Sequence, residues 1–254
     1  MFMRFVQIRV DNQYIDQIKL FYEDRVLSDL QNVPGCLFAG LIQSAADPQD
    51  FISITMWKTK EQAEAYELTG PYKKIMEEIN QYLAEGTEWK IQLSKDLQLE
   101  YAPVHEEPEV KELSVTAQAN QEDWLSGKIT KDLHIRIVSL TVAEGKLKEF
   151  RRLYIKEIIP ALKNTFGCKH VFLTESKQKQ NEILSITVWE NAWCAEKYEK
   201  SGQFQGLLNK ISHTMSDLYQ YKMAFEQKPG RHSISKDDMT ITHYEMIKSK
   251  NFES

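Results

Sequence analysis

Ser53-Ile54-Thr55-Met56-Trp57 recurs as Ser185-Ile186-Thr187-Val188-Trp189, an offset of 132 residues, and this pair of segments decides the fold. The register holds outward from it in both directions without a gap. Arg4 falls on Arg136, Val6 on Val138, Tyr22 on Tyr154, Gly35-Cys36 on Gly167-Cys168, Tyr66-Glu67 on Tyr198-Glu199 and Gly70 on Gly202. A chain that keeps register with itself over such a span builds one supersecondary unit twice.

Each copy is predicted to run through the same elements. Val6, Ile8 and Val10 alternate with polar or outward residues, as in a strand, and Ile135 to Val142 is the counterpart. Ile15, Ile18, Tyr22, Val26 and Leu30 then recur at three- and four-residue spacing, matched by Leu147, Phe150, Tyr154, Ile158 and Leu162. Pro160 is expected to kink the second version. Strands over Cys36 to Gln43 and Phe51 to Trp57 flank a turn-rich stretch. Thr59-Lys60-Glu61-Gln62 has the form of a capping box, opening a short helix that Gly70 can end, and Asn191 caps the equivalent helix. A further helix carries Tyr72, Ile75, Met76 and Ile79, and Trp89 to Leu93 or Tyr221 to Phe225 is expected to close each unit as its last strand. This is an α+β chain of two ferredoxin-like βαββαβ repeats.

The third strand of each copy is apolar on both faces. Ile52, Ile54 and Met56 point one way while Ser53, Thr55 and Trp57 point the other, so a lone unit would expose an apolar sheet face larger than a monomer usually tolerates. The two sheets are therefore expected to pair within the chain. The organisation expected is a first repeat over 1–93, a linker over 94–132, a second repeat over 133–225 and a tail over 226–254. Leu113 to Thr116 in the linker and Met239 to Tyr244 in the tail each suggest an extra strand, and Asp123-Trp124-Leu125 a turn of helix.

Composition narrows the partners. The 254 residues carry a formal charge of −5, which offers no single-sign field for nucleic acid or an anionic membrane. No apolar run reaches the roughly 18 residues of a spanning helix, and the N-terminus shows no secretion signal. Cys36, Cys168 and Cys194 form neither an even disulfide set nor a CxxC pair, which fits free thiols in a cytoplasmic protein without a structural metal. Nucleotide-loop, serine-hydrolase and zinc-protease motifs are absent from the sequence.

The candidate residues are few. Trp57 and Trp189 share a strand face with a serine and a threonine, the makings of an amphipathic wall for a planar ligand; packing in the core is the competing reading. Arg4 and Arg136 stand at the end of an apolar face and need an acceptor, either a substrate oxyanion or Glu64, Glu67 and their counterparts. His134 begins a repeat strand where the first copy has Phe2, two residues before Arg136 on the same face, and is the best acid-base candidate. His213 should face solvent, His170 is ambiguous, and His105, His232 and His243 form no metal-ligand spacing. Cys36 and Cys168 fit small buried residues.

The run Ser185 to Glu190, the capped helix with Ala195 and Tyr198, and Ser201-Gly202 with Phe204 resemble the antibiotic biosynthesis monooxygenase family, as do Ser53 to Trp57, Ala63, Tyr66, Gly70 and Tyr72 in the first copy. The resemblance covers about 90 residues of each copy. It implies a dimeric α/β barrel, here within a single chain, with a pocket between sheet and helices in each unit. It also implies oxidation of aromatic substrates by oxygen without metal or flavin, or else binding and degradation of heme. The heme-degrading branch uses an asparagine, an aromatic residue and a histidine ligand. The histidine position falls on Met76 and Leu208, the aromatic one on Tyr66 and Tyr198, and the asparagine near Val6 to Gln7 and Val138 to Ser139.

The function expected is oxidation of a small aromatic or apolar molecule without a cofactor. His134 and Arg136 would assist deprotonation, and Arg4, Trp57, Tyr66, Met76, Trp189 and Tyr198 would line the pockets. The alternative is a protein that holds heme or another hydrophobic ligand without chemistry.

Overall fold

The computed structural model describes residues 1–93, 99–120, 133–216 and 239–252. The first repeat comprises β1 (Phe2–Arg9), α1 (Ile15–Phe21), a π-helical turn (Tyr22–Val26), α2 (Leu27–Leu30), β2 (Cys36–Ser44), β3 (Asp50–Trp57), α3 (Lys60–Glu67) and α4 (Gly70–Ile79). After β4 (Glu85–Leu93), β5 (Leu99–His105) and β6 (Glu109–Asn120), the second repeat restates the series. It has β7 (His134–Thr141), α5 (Leu147–Leu153), a π turn (Tyr154–Ile158), α6 (Ile159–Lys163), β8 (Cys168–Ser176), β9 (Glu182–Trp189), α7 (Ala192–Lys200) and α8 (Gln203–Ile211). β10 (Met239–Asn251) comes last. The α+β class and the βαββα order of both repeats are those read from the sequence.

The chain forms two compact units. One holds residues 4–110 and 247–254; its sheet runs β1–β3–β2, with the end of β10 beyond β2. Leu41 pairs with Ser53 and Ile42 with Ile52 across β2 and β3. The other unit holds residues 1–3 and 111–246, and its sheet runs β10–β7–β9–β8–β6, antiparallel at every step. In the first unit Ile52, Ile54 and Met56 are buried, and so is Trp57 on the opposite face of β3, as strands apolar on both sides require.

Three expectations change. The stretch Trp89 to Leu93 does not join β1. It pairs with β5 as a separate two-stranded sheet, and each repeat instead leaves its last helix through an isolated bridge, Val10 to Leu83 and Val142 to Met215. Tyr221 to Phe225 and Asp123 to Leu125 lie outside the described residues. Gly70 does not end α3 but starts α4, because Thr69 accepts the Tyr72 N–H and caps that helix. Pro160 does not cause the irregularity in its helix. The π turn sits at the same place in the first repeat, where Ser28 replaces the proline, and in both repeats it carries a tyrosine whose hydroxyl meets a β-strand serine. Tyr22 Oη lies 3.0 Å from Ser53 Oγ, and Tyr154 Oη 2.5 Å from Ser185 Oγ.

Gly35 and Gly167 show why the repeat preserves a glycine before each cysteine. Both have a left-handed backbone, φ +84° and +79°. A Cβ at Gly167 would lie 2.4 Å from Cys194 Sγ, and one at Gly35 2.1 Å from Gln62 Oε1. The close approach lets the first turn of α7 or α3 seat on the start of β8 or β2.

Candidate functional site

The helices of each unit cover one sheet face and leave a cavity beneath them. In the first unit that space is ≈ 70 Å³, room for on the order of five waters. β1 contributes Arg4, Val6 and Ile8, β3 contributes Ser53, Thr55 and Trp57, and the helices add Ile18, Phe21, Tyr22, Tyr66, Tyr72 and Met76. The strand alternation explains the first two sets, since residues two apart share a face. Trp57, Tyr66 and Tyr72 form a run of rings with centroids 5.6 and 5.4 Å apart. The Trp57 indole is aimed by its N–H, which donates to Thr55 Oγ1 at 2.9 Å.

Arg4 supplies the positive charge in this lining. Its Nη1 donates to the Ala63 carbonyl and to Glu67 Oε1, each at 3.1 Å, so the acceptor expected on α3 is found. Burial raises the phenol pKa of Tyr66 and Tyr72, which keeps both hydroxyls protonated at neutral pH and able to donate. Met76 lines the wall with them.

The second unit repeats the site in reduced form. Its cavity is ≈ 30 Å³, about two waters' worth, although Arg136, Tyr154, Ser185, Thr187, Tyr198 and Phe204 occupy the equivalent places. Two side chains are larger than their first-copy counterparts: Phe150 stands where the first copy has Ile18, and Ile158 where it has Val26. Arg136 also caps Phe204, its guanidinium carbon 4.2 Å from the ring centre. Trp189 hydrogen-bonds Thr187 as Trp57 does Thr55, and both are buried, but Trp189 does not line its cavity as Trp57 does.

His134 is buried and does not border this cavity. Its Nε2 lies 2.9 Å from Nδ1 of His243 on β10. The far nitrogen of His243 faces Glu199 Oε1 at 3.5 Å, and that same oxygen accepts from Arg136 Nε at 2.5 Å. His134, His243, Glu199 and Arg136 thus form one chain of polar contacts. Burial, followed by the charge of His243, pushes the His134 pKa down to about 4. Burial works against ionisation of Glu199, but hydrogen bonds from His243 and Arg136 outweigh it and hold the carboxyl at about 2. His243 went unrecognised in the sequence because 109 residues separate it from His134; the alternation of Met239 to Tyr244 marks a strand but not its neighbour.

The remaining candidates fall into structural roles. Cys36 and Cys168 are buried, and burial pushes both thiols up to about 12, far from nucleophiles. His213 is exposed and pairs with Glu149, and His170 is buried with its pKa lowered to about 4 by burial. Among the described residues no three metal-ligating side chains converge, and no helix is long and apolar enough to cross a membrane.

The geometry agrees with what the chain is similar to. The family model described as antibiotic biosynthesis monooxygenase matches residues 1–78 and 133–209, one match per repeat. A putative monooxygenase from Fusobacterium nucleatum superposes with a TM-score of 0.68 at 13% identity, covering 98% of this chain and 94% of that one. One from Lactobacillus acidophilus gives 0.66 at 10% identity, covering 98% and 95%. An anthrone oxidase-like protein gives 0.59 at 12% identity, covering 98% and 92%. These likenesses are ones of fold. No curated protein matches the sequence.

Proposed function

Since the chain belongs to the antibiotic biosynthesis monooxygenase family, we propose that the first-repeat cavity is the working site of a cofactor-independent monooxygenase acting on a small, flat aromatic molecule. The observation that carries this reading is the lining itself: one guanidinium, Arg4, among aromatic rings and aliphatic side chains. Such a pocket binds a planar apolar body by stacking and pins one oxygen of it.

The chemistry follows from that oxygen. A phenol or an aryl ketone with an acidic C–H becomes an oxyanion on losing a proton to solvent, and Arg4 stabilises the oxyanion in a site with little water to compete. The electron-rich anion then transfers an electron to molecular oxygen. Radical recombination forms a C–O bond, and protonation gives a hydroperoxide. Loss of water leaves a carbonyl, so that a CH2 group and O2 become C=O and H2O. Trp57, Tyr66 and Tyr72 hold the rings, and the neutral phenols can donate to the departing oxygen. Arg136 would play Arg4's part in the narrower second cavity. His134 is joined to it by polar contacts through His243 and Glu199, so its proposed assistance to deprotonation is indirect.

The donor set does not suit heme. Met76 and tyrosines held as neutral phenols are the candidate ligands in this lining, with no histidine among them. The test is oxygen uptake with anthrone and with dihydroxynaphthalenes in buffer containing a metal chelator. One O2 consumed per anthrone, with formation of the quinone, is the expected result, and hemin should give no saturable Soret shift. Saturable quenching of tryptophan fluorescence by these compounds without oxygen uptake would leave a binding protein without chemistry.

A further inference from the structure

We propose that His134 and His243 form a proton-operated latch that fastens β10 to β7 at neutral pH and releases it in acid. The two imidazoles meet edge to edge. Their nitrogens are 2.9 Å apart, their ring centres 5.1 Å apart and their planes inclined by 33°, so each ring points at the other along the bond. One nitrogen must donate and the other accept, which requires that at least one ring be neutral.

The surroundings decide how many protons the pair tolerates. β7 contributes Arg136, and α7 contributes Glu199 and Glu196, the latter paired with Lys200. β10 sets Glu245 opposite His134 in the ladder, with an exposed side chain, and β9 offers uncharged Trp189 and Thr187. A single proton added to the pair still leaves one N–H between the rings, with the Glu199 carboxylate facing the far nitrogen of His243. A second proton would set two imidazolium rings against each other with no acceptor between them, beside the positive Arg136.

Sequence comparison between the repeats supports a specific device rather than a property of the fold. The first copy has Phe2 where the second has His134, and the register places no histidine pair there. β10 is also a strand whose release matters: Met239 to Met246 belong to one compact unit and Ile247 onward to the other. In the ladder His243 lies opposite Arg136, so losing β10 would also take His243 from Glu199, the carboxylate that holds Arg136.

The sign of the pH effect follows from the depressed histidine. Held beside β10, His134 takes up a proton only near pH 4, whereas a solvated histidine does so near 6.5. The fastened state is therefore fully favoured above about 6.5 and loses its advantage as pH falls from there toward 4. Between pH 7.5 and 5.0 the ratio of fastened to released strand should fall roughly 30-fold.

Hydrogen exchange, expressed as protection factors corrected for the intrinsic rate at each pH, reads this directly. Protection of Met239 to Met246 is expected to drop about 30-fold between pH 7.5 and 5.0 while that of Glu182 to Trp189 stays level. His134→Phe, which installs the first copy's residue, should flatten the response. Should that variant fail to fold, His243→Gln keeps a neutral hydrogen-bonding side chain and serves the same purpose. An unchanged β10 protection in the native protein, or an undiminished drop in His243→Gln, would overturn the latch. So would imidazole nitrogen NMR signals showing that both histidines titrate near 6.5.

Discussion

Replacing Ile18 by phenylalanine together with Val26 by isoleucine should cost the first repeat its ligand while leaving the protein folded. The two substitutions copy Phe150 and Ile158, the larger residues at these positions in the second repeat, whose cavity is ≈ 30 Å³ against the ≈ 70 Å³ of the first. Both side chains border the open space, so the added carbons enter a void instead of crowding a filled core. Overpacking of a tight core costs ~1–3 kcal/mol, whereas filling a cavity recovers contact with its walls, and the net change in stability should stay within about 1 kcal/mol. Affinity for an aromatic ligand, read from quenching of tryptophan fluorescence, should fall at least ~10-fold, because rings that stack on Trp57 and Tyr66 lose the room they need. Unchanged affinity in a normally folded double variant would move the ligand out of this cavity. The converse change, Phe150→Ile, should enlarge the second cavity at a cost of ~1–3 kcal/mol and add binding there.

The asymmetry between the copies is what a fused pair permits and two identical subunits do not. Both repeats keep the arginine, the tryptophan held by a threonine, and the π-turn tyrosine held by a serine. They diverge in what surrounds that frame. One copy keeps space and a neutral lining around Arg4; the other fills the space and ties its arginine through Glu199 to two histidines.

The frame was legible because its signals are local. Alternation along Arg4, Val6 and Ile8 places the arginine on the cavity face, and three- and four-residue spacing places Tyr66 and Met76 on the helices above it. An acceptor for Arg4 on α3 was also legible, but only as Glu64 or Glu67; the structure selects Glu67. What sequence could not supply was pairing between distant strands. Trp89 to Leu93 carries strand-like alternation whichever neighbour it takes, and its partner β5 lies in a stretch that composition marks only as acidic and proline-bearing. His243 shows the same limit at the site: a strand was apparent, but a ladder register that sets it opposite Arg136 is a long-range property. Cavity volume was out of reach for a different reason, since Ile18 and Phe150 satisfy one hydrophobic pattern equally well.

Arg4→Met is expected to reduce kcat for oxygen uptake by ~10²–10³-fold, the usual effect of removing one preorganised donor from a developing oxyanion. KM should change much less, because the rings and not the guanidinium supply most of the ground-state binding to a neutral substrate. The stability cost is bounded by the groups left behind. Glu67 is 31% exposed and can be hydrated once its partner is gone, and the Ala63 carbonyl lies in a helix where a backbone N–H is close. A loss of ~1–3 kcal/mol is therefore expected, below the cost of stranding a fully buried charge. Arg4→Lys should fall between native and Arg4→Met, since a lysine restores charge but not the fork that engages Ala63, Glu67 and a substrate oxygen at once. Loss of activity in proportion to the unfolded fraction alone, with kcat per folded molecule unchanged, would reduce Arg4 to a structural residue. Turnover would then have to depend on the substrate's own acidity and on the shape of the ring-lined wall.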